Sequence, residues 1–314
     1  MSNKLTGKGI RNILKNAIKG FSGDKIAKLS ASLAYCMLFS MAPLLVMIIF
    51  LCSIFFGREA VEGKVYGELQ NFLGHDVAVQ LQQMIKSAFI SGKSTFAAIT
   101  GGVTLLLGAT SIFGEVQDSL NQVWGLKPKP KKGWLKMLRN RFLSFSIIIS
   151  LGLLLVVSLV VSSVIEEFTN IFKSSYPNVT VVIIYIVNLI VTFAITTIIF
   201  ASVFKILPDA KIKWRQVIIG AVLTAILFIV GKFAISFYIS RSNIGSTYGA
   251  AGSLIVLVLW VYYSAIILYM GAEFTKAYAL EIGSAIQPSD YAVTTKTVEI
   301  EKGSNKVEKD FHKK

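Results

Sequence analysis

Six stretches of this 314-residue chain are apolar over enough consecutive residues to cross a bilayer. Charge-free runs cover 29–57, 94–114, 142–165, 174–204 and 242–272, and a sixth, 216–240, holds one charge, Lys232. A helix needs roughly 20 residues to cross a hydrocarbon core about 30 Å thick. In lipid only helices and closed barrels satisfy their backbone polar groups, and unbroken apolar runs lack the alternation of barrel strands. The expected fold class is therefore all-α. It is a polytopic membrane protein with six transmembrane helices, an N-terminal amphipathic interfacial helix, and a helical outer connection between spans 1 and 2. The sequence predicts a cytoplasmic amphipathic segment over 1–28 and a membrane domain over 29–275, with spans near 29–57, 94–114, 142–165, 178–204, 216–240 and 249–275. A cytoplasmic tail, 276–314, follows, disordered beyond about 288.

The 32 Lys and Arg outnumber the 17 Asp and Glu, a net charge of +15. Their placement decides whether this excess faces nucleic acid or lipid. Residues 1–28 hold seven basic side chains against one acid, 115–141 seven against two, and 205–215 four against one. The intervening connections hold four in 58–93, then Lys173 and Arg241 alone, and the tail holds seven. This alternation puts both termini in the cytoplasm by the positive-inside rule. The expected partners are membrane lipids, through anionic headgroups on the cytoplasmic side, and no nucleic acid; a homo-oligomer is left open.

Two basic segments read as interfacial. Ile10, Ile13, Leu14, Ala17, Ile18 and Phe21 share one helical face, with Lys8, Arg11, Lys15 and Lys19 largely opposite, the pattern of a helix lying flat on a membrane. Asp24 is then placed to cap the next helix. The run around Pro128 and Pro130 cannot be helical throughout, and its Lys127, Lys129, Lys131 and Lys132 are candidate headgroup contacts. Outside, apolar residues recur at helical spacing from Leu69 to Phe89, a cap on the bundle or a lid.

Inside the spans each polar residue needs a reason. Pro43 removes a backbone hydrogen bond and should kink span 1, as packing geometry or as a hinge. Gly101, Thr104, Gly108 and Ser111 form a small-residue stripe on span 2. Asn188, Thr192 and Thr196 form a polar stripe on span 4, serving interhelical hydrogen bonds or lining a cavity. Lys232 either snorkels to the outer interface or acts as an intramembrane cation. Glu115 and Glu273 lie at inner span ends, where pairing with basic neighbours competes with a transport role.

Catalytic constellations are missing. The two histidines, His75 and His312, have no metal-ligand spacing, and Cys36 and Cys52 are about 24 Å apart along one helix, too far for a disulfide with each other. Gly92-Lys93-Ser94-Thr95 imitates the end of a phosphate loop, but Ser87 stands where the first glycine belongs. The expectation is a non-enzyme without cofactor or metal.

Several blocks resemble the YihY/BrkB family, formerly labelled ribonuclease BN. They are Ser30-Ala31-Ser32-Leu33-Ala34-Tyr35, Ala42-Pro43-Leu44-Leu45, Leu120-Asn121-Gln122-Val123-Trp124-Gly125 and Leu207-Pro208-Asp209-Ala210 with Trp214. Later come Gly231-Lys232 with Tyr238, the block from Tyr248 to Ser253, Trp260, Tyr262-Tyr263 and Gly271-Ala272-Glu273-Phe274. The resemblance implies a six-helix protein of the bacterial inner membrane, with Lys232 and Glu273 at positions typical of the pattern. Ribonuclease chemistry is not expected, because RNA hydrolysis needs clustered carboxylates with metal or a histidine acid/base pair. Two readings remain: a transporter or translocator of a lipid, amphiphile or small solute, which is preferred, and a non-catalytic scaffold that organises the envelope.

Overall fold

The computed structural model describes residues 7–38, 66–67, 79, 82, 111–128, 177–241, 252–283, 286–289 and 292–295. In chain order these form α1 (Gly7–Gly23), α2 (Ile26–Leu38), α3 (111–123), β1 (Leu126–Pro128), α4 (Pro177–Ile206), β2 (Ala210–Lys211), α5 (Trp214–Arg241), α6 (Gly252–Glu281), β3 (Gln287–Pro288) and β4 (Ala292–Thr294). Three of these helices, α4, α5 and α6, are long and apolar enough to cross a membrane. At 30, 28 and 30 residues each is about 42–45 Å long, so its ends project beyond a core of about 30 Å. The expected spans near 178–204, 216–240 and 249–275 fall on these helices, the last beginning at Gly252. Of the other three, only 29–38 and 111–114 are described, as parts of α2 and α3. Pro43, the stripe from Gly101 to Gly108 and nearly all of the outer connection lie outside the described residues.

Local chemistry sets the ends. Pro177, with its fixed φ, opens α4. Gln216 folds back so that its Oε1 accepts from the Lys213 N–H at the start of α5, half of a capping box. Gly283, at φ 74°, lets the chain leave α6 in the left-handed region.

Helix α5 packs on both α4 and α6. The α5–α6 seam is built from reciprocal glycines: a side chain at Gly220 would collide with Thr275, and one at Gly271 with Thr224. Each threonine hydroxyl returns to its own backbone, Thr224 to the Gly220 carbonyl and Thr275 to the Gly271 carbonyl, both at 2.7 Å. Farther along, Gly231 lies under Tyr263. The close approach replaces hydrophobic drive with shape, as helices in lipid require. Across the bundle, Phe200 meets Phe228 edge-on at 5.8 Å between ring centroids, and Phe228 meets Trp260 at the same spacing.

The tail departs from expectation. Residues 292–294, placed by the sequence in a disordered segment, pair antiparallel with Leu126–Pro128, and Gln287–Pro288 pairs with Ala210–Lys211. The returning chain offers its backbone groups to two loops whose own groups need partners. It thereby straps the segment after α3 to the segment between α4 and α5.

Candidate functional site

The residues that carry the richest chemistry converge at the end of the bundle where α1, α3 and α6 meet. Asp209, 1% exposed, follows Pro208 in the turn after α4. Its Oδ2 accepts from Asn121 Nδ2 at 3.1 Å and its Oδ1 from Gln117 Nε2 at 3.4 Å, while its own N–H donates to Asn121 Oδ1 at 2.8 Å. The Asp209 carbonyl accepts from the Ser289 N–H of the tail at 2.9 Å. One buried carboxylate thus gathers α3, the α4–α5 turn and the tail, its charge met by two amide donors.

Beside it lies an ionic knot. Lys276 Nζ is 2.7 Å from Asp24 Oδ2 and 3.3 Å from Glu273 Oε2. Asp24, expected as a helix cap, instead reaches this ammonium from the turn between α1 and α2. Burial would raise the Asp24 carboxyl, but hydrogen bonding to Glu273 and Lys276, with the Lys276 charge, holds it below the usual carboxylate range. Gln122 Nε2 donates to the Asp24 carbonyl at 3.3 Å, and Trp124 Nε1 to the Ala272 carbonyl at 3.1 Å. Glu273 is 2% exposed and its carboxyl lies directly over Gly20, where any side chain would collide with it. A Cβ at this position would force the carboxyl to move.

One turn before Glu273, Tyr269 is fully buried beside Ser119 and within electrostatic reach of Glu115 and Cys36. The rim is basic: Lys25, Lys28, Lys127, Lys211, Lys213 and Arg215 are exposed. Trp214, 55% exposed, carries Lys205 Nζ at 5.5 Å over its ring, an aromatic–cation pair of the kind found at membrane surfaces.

The sequence candidates do not form one site. Glu273 joins the knot, and Glu115 lies within electrostatic reach of Tyr269. Lys232 is half-buried on α5 next to Gly231, which meets Tyr263. Tyr263 precedes Glu273 by ten residues on α6, about 15 Å along the axis, so Lys232 and Glu273 belong to different levels. Thr196 is buried and Thr192 half-buried on α4; the Asn188 side chain, with Pro43, Lys129, Lys131 and Lys132, lies outside the described residues. Lys127 is exposed in β1, opposite Val293 of the tail. Among the described residues no three His, Cys, Asp or Glu side chains are grouped to hold a metal ion.

Sequence reasoning missed Gly20 and the amide donors of Asp209. It also missed the glycine–threonine seam, whose signal is legible: Gly220 and Thr224, then Gly271 and Thr275, repeat one spacing on consecutive helices.

The sequence matches the family described as "Virulence factor BrkB" over residues 17–292. Its relatives include a protein named UPF0761 membrane protein from Pseudoalteromonas atlantica, 27% identical over 254 residues, covering 80% of this chain and 81% of the relative. UPF0761 membrane protein NTHI0384 of Haemophilus influenzae is 26% identical, covering 86% of this chain and 95% of the relative. A UPF0761 membrane protein of Prosthecochloris aestuarii is 25% identical over 85% of this chain, which spans 61% of that longer relative. No solved structure matches.

Proposed function

The chain belongs to the virulence factor BrkB family, and from the polar interior of its helices we propose that it moves a lipid, an amphiphile or a small solute across the bacterial cytoplasmic membrane. In this reading it has six spans, both termini and the basic end lie in the cytoplasm, and α1 lies at the interface. The protein is non-catalytic and works without cofactor, and its lysines face anionic headgroups.

The observation that carries the reading is a set of enclosed polar atoms with no hydrogen-bond partner among the described residues: Ser30 Oγ, Thr196 Oγ1 and Glu273 Oε1. Enclosing such a group without a partner costs about 1–3 kcal/mol, so polar atoms in this interior call for a solute or a partner beyond the described residues. An ionisable group within a membrane span, such as Glu273, is rare and marks a pathway or a specific partner. The knot of Asp24, Glu273 and Lys276 then closes the cytoplasmic end of the pathway. A second reading, an organising scaffold, draws on the tail strap, which would hold a rigid cytoplasmic face for partners.

The test is lipid translocation by the purified protein in vesicles carrying a fluorescent phospholipid in both leaflets, with an impermeant reductant added outside. Bleaching well beyond half supports translocation, and Glu273→Gln and Lys232→Ala then ask which level of the bundle matters. Protection equal to protein-free vesicles sinks movement of that lipid and favours the scaffold.

A further inference from the structure

Helix α1 is not a simple two-faced helix. Gly9, Ile13 and Ala17 are buried, with Ile13 and Ala17 packed on Ala277 and Tyr278 at the end of α6. At 100° per residue, the adjoining sector carries Ile10, Leu14 and Ile18, which are 51%, 48% and 63% exposed. The next sector carries Lys8, Arg11, Lys15 and Lys19, all exposed, and α1 holds no acid. The single apolar face expected from sequence is therefore split, half spent on protein and half left open. The buried half packs on the last turns of α6, and the open half is left exposed beside it.

We propose that the open sector of α1 docks on an anionic lipid surface, and that this seating keeps Gly20 over the Glu273 carboxyl, so that the charge of the inner leaflet controls access to that carboxyl. The occupant follows from the chemistry: three aliphatic side chains at one level with a flanking row of cations match acyl chains topped by negative headgroups. A soluble acidic protein would satisfy the cations but leave Ile10, Leu14 and Ile18 in water. The coupling follows from contact, because α1 cannot lift from α6 without uncovering Glu273, and Asp24 at the foot of α1 shares Lys276 with it. This deepens the transport reading by naming what regulates its cytoplasmic gate, and it rests on that reading for its biological meaning.

The experiment uses the full chain in vesicles of phosphatidylcholine, with and without phosphatidylglycerol. Amide hydrogen exchange of α1 and carbodiimide labelling of Glu273, located by mass spectrometry, are followed together. Phosphatidylglycerol is expected to slow both by about ten-fold. High salt should reverse the effect, as should replacing Lys8, Arg11, Lys15 and Lys19 with Gln. Ile10→Ser with Leu14→Ser and Ile18→Ser should abolish it, while exchange within α5 stays unchanged and certifies the fold. Equal rates in the two vesicles overturn the proposal, and so does protection of α1 with unaltered labelling of Glu273. Neither readout needs a transported substrate, so a failed translocation assay leaves this result standing, and the reverse holds too.

Discussion

The α5–α6 seam and the knot at the basic end hold the same helix, α6, by opposite means. Along the seam no ion pair is needed: Gly220 and Gly271 each receive a threonine of the other helix, and the hydroxyls are spent on their own backbone. At the knot, Lys276 meets Asp24 from 252 residues away in sequence, and beside it Asn121 meets Asp209 across 88 residues. The seam joins consecutive helices by shape, and its Thr275 lies on α6 between Glu273 and Lys276, so the two regions differ in their means of contact and not in their level. The knot instead ties the turn between α1 and α2 to α6. Shape tolerates no added atom, whereas a network tolerates partial loss of its bonds.

Breaking the seam should therefore cost most. Gly220→Ala puts a methyl on Thr275, and the expected loss is about 3 kcal/mol, read as a lower thermal midpoint in detergent micelles. The exchange Gly220→Ala with Thr275→Gly should recover most of it, since the helix propensities offset one another. If the single variant is as stable as the parent, the close approach is not structural. Beside the knot, Asp209→Ala strands the Gln117 and Asn121 amides and should cost about 2 kcal/mol. Asp209→Asn should cost less, because its remaining oxygen still accepts one of the two amides. An equal loss for both variants would mean that charge, not donor matching, holds the turn.

The same contrast explains what could be read in advance. The three long helices are legible because an apolar run of spanning length is a local property. The seam is nearly as legible, through a repeated Gly-x-x-x-Thr on α5 and α6. The knot and the Asp209 network beside it are not legible, because Asp209 looks like an ordinary turn acid until Asn121 arrives from another helix. Glu273 reads as an acid at an inner span end and Asp24 as a helix cap, and nothing local says that Gly20 lies under a carboxyl. The tail failed as expectation for the same reason. Strands of two or three residues have no pattern of their own, so Ala292–Thr294 is ordered only by its partner, Leu126–Pro128.

The smallest effect separates the two regions by acid. Asp24 in the folded protein sits below the usual carboxylate range, its burial outweighed by its bonds to Glu273 and Lys276. An unfolded aspartate takes up its proton near about pH 3.9, before the folded one does. Protons are therefore bound first by the unfolded chain, so this contribution is complete above that value and declines as pH falls through the lower, folded value. The link between the α1–α2 turn and α6 should loosen first, seen as faster amide exchange in α1 while α5 stays protected. Asp24→Asn should remove that acid sensitivity and leave the seam's stability flat across the same range, since Gly220, Thr224, Gly271 and Thr275 carry no titrating group. Acid-induced loosening of both regions together would mean that α1 and the α5–α6 seam unfold as one unit, and the division drawn between shape and network would fail.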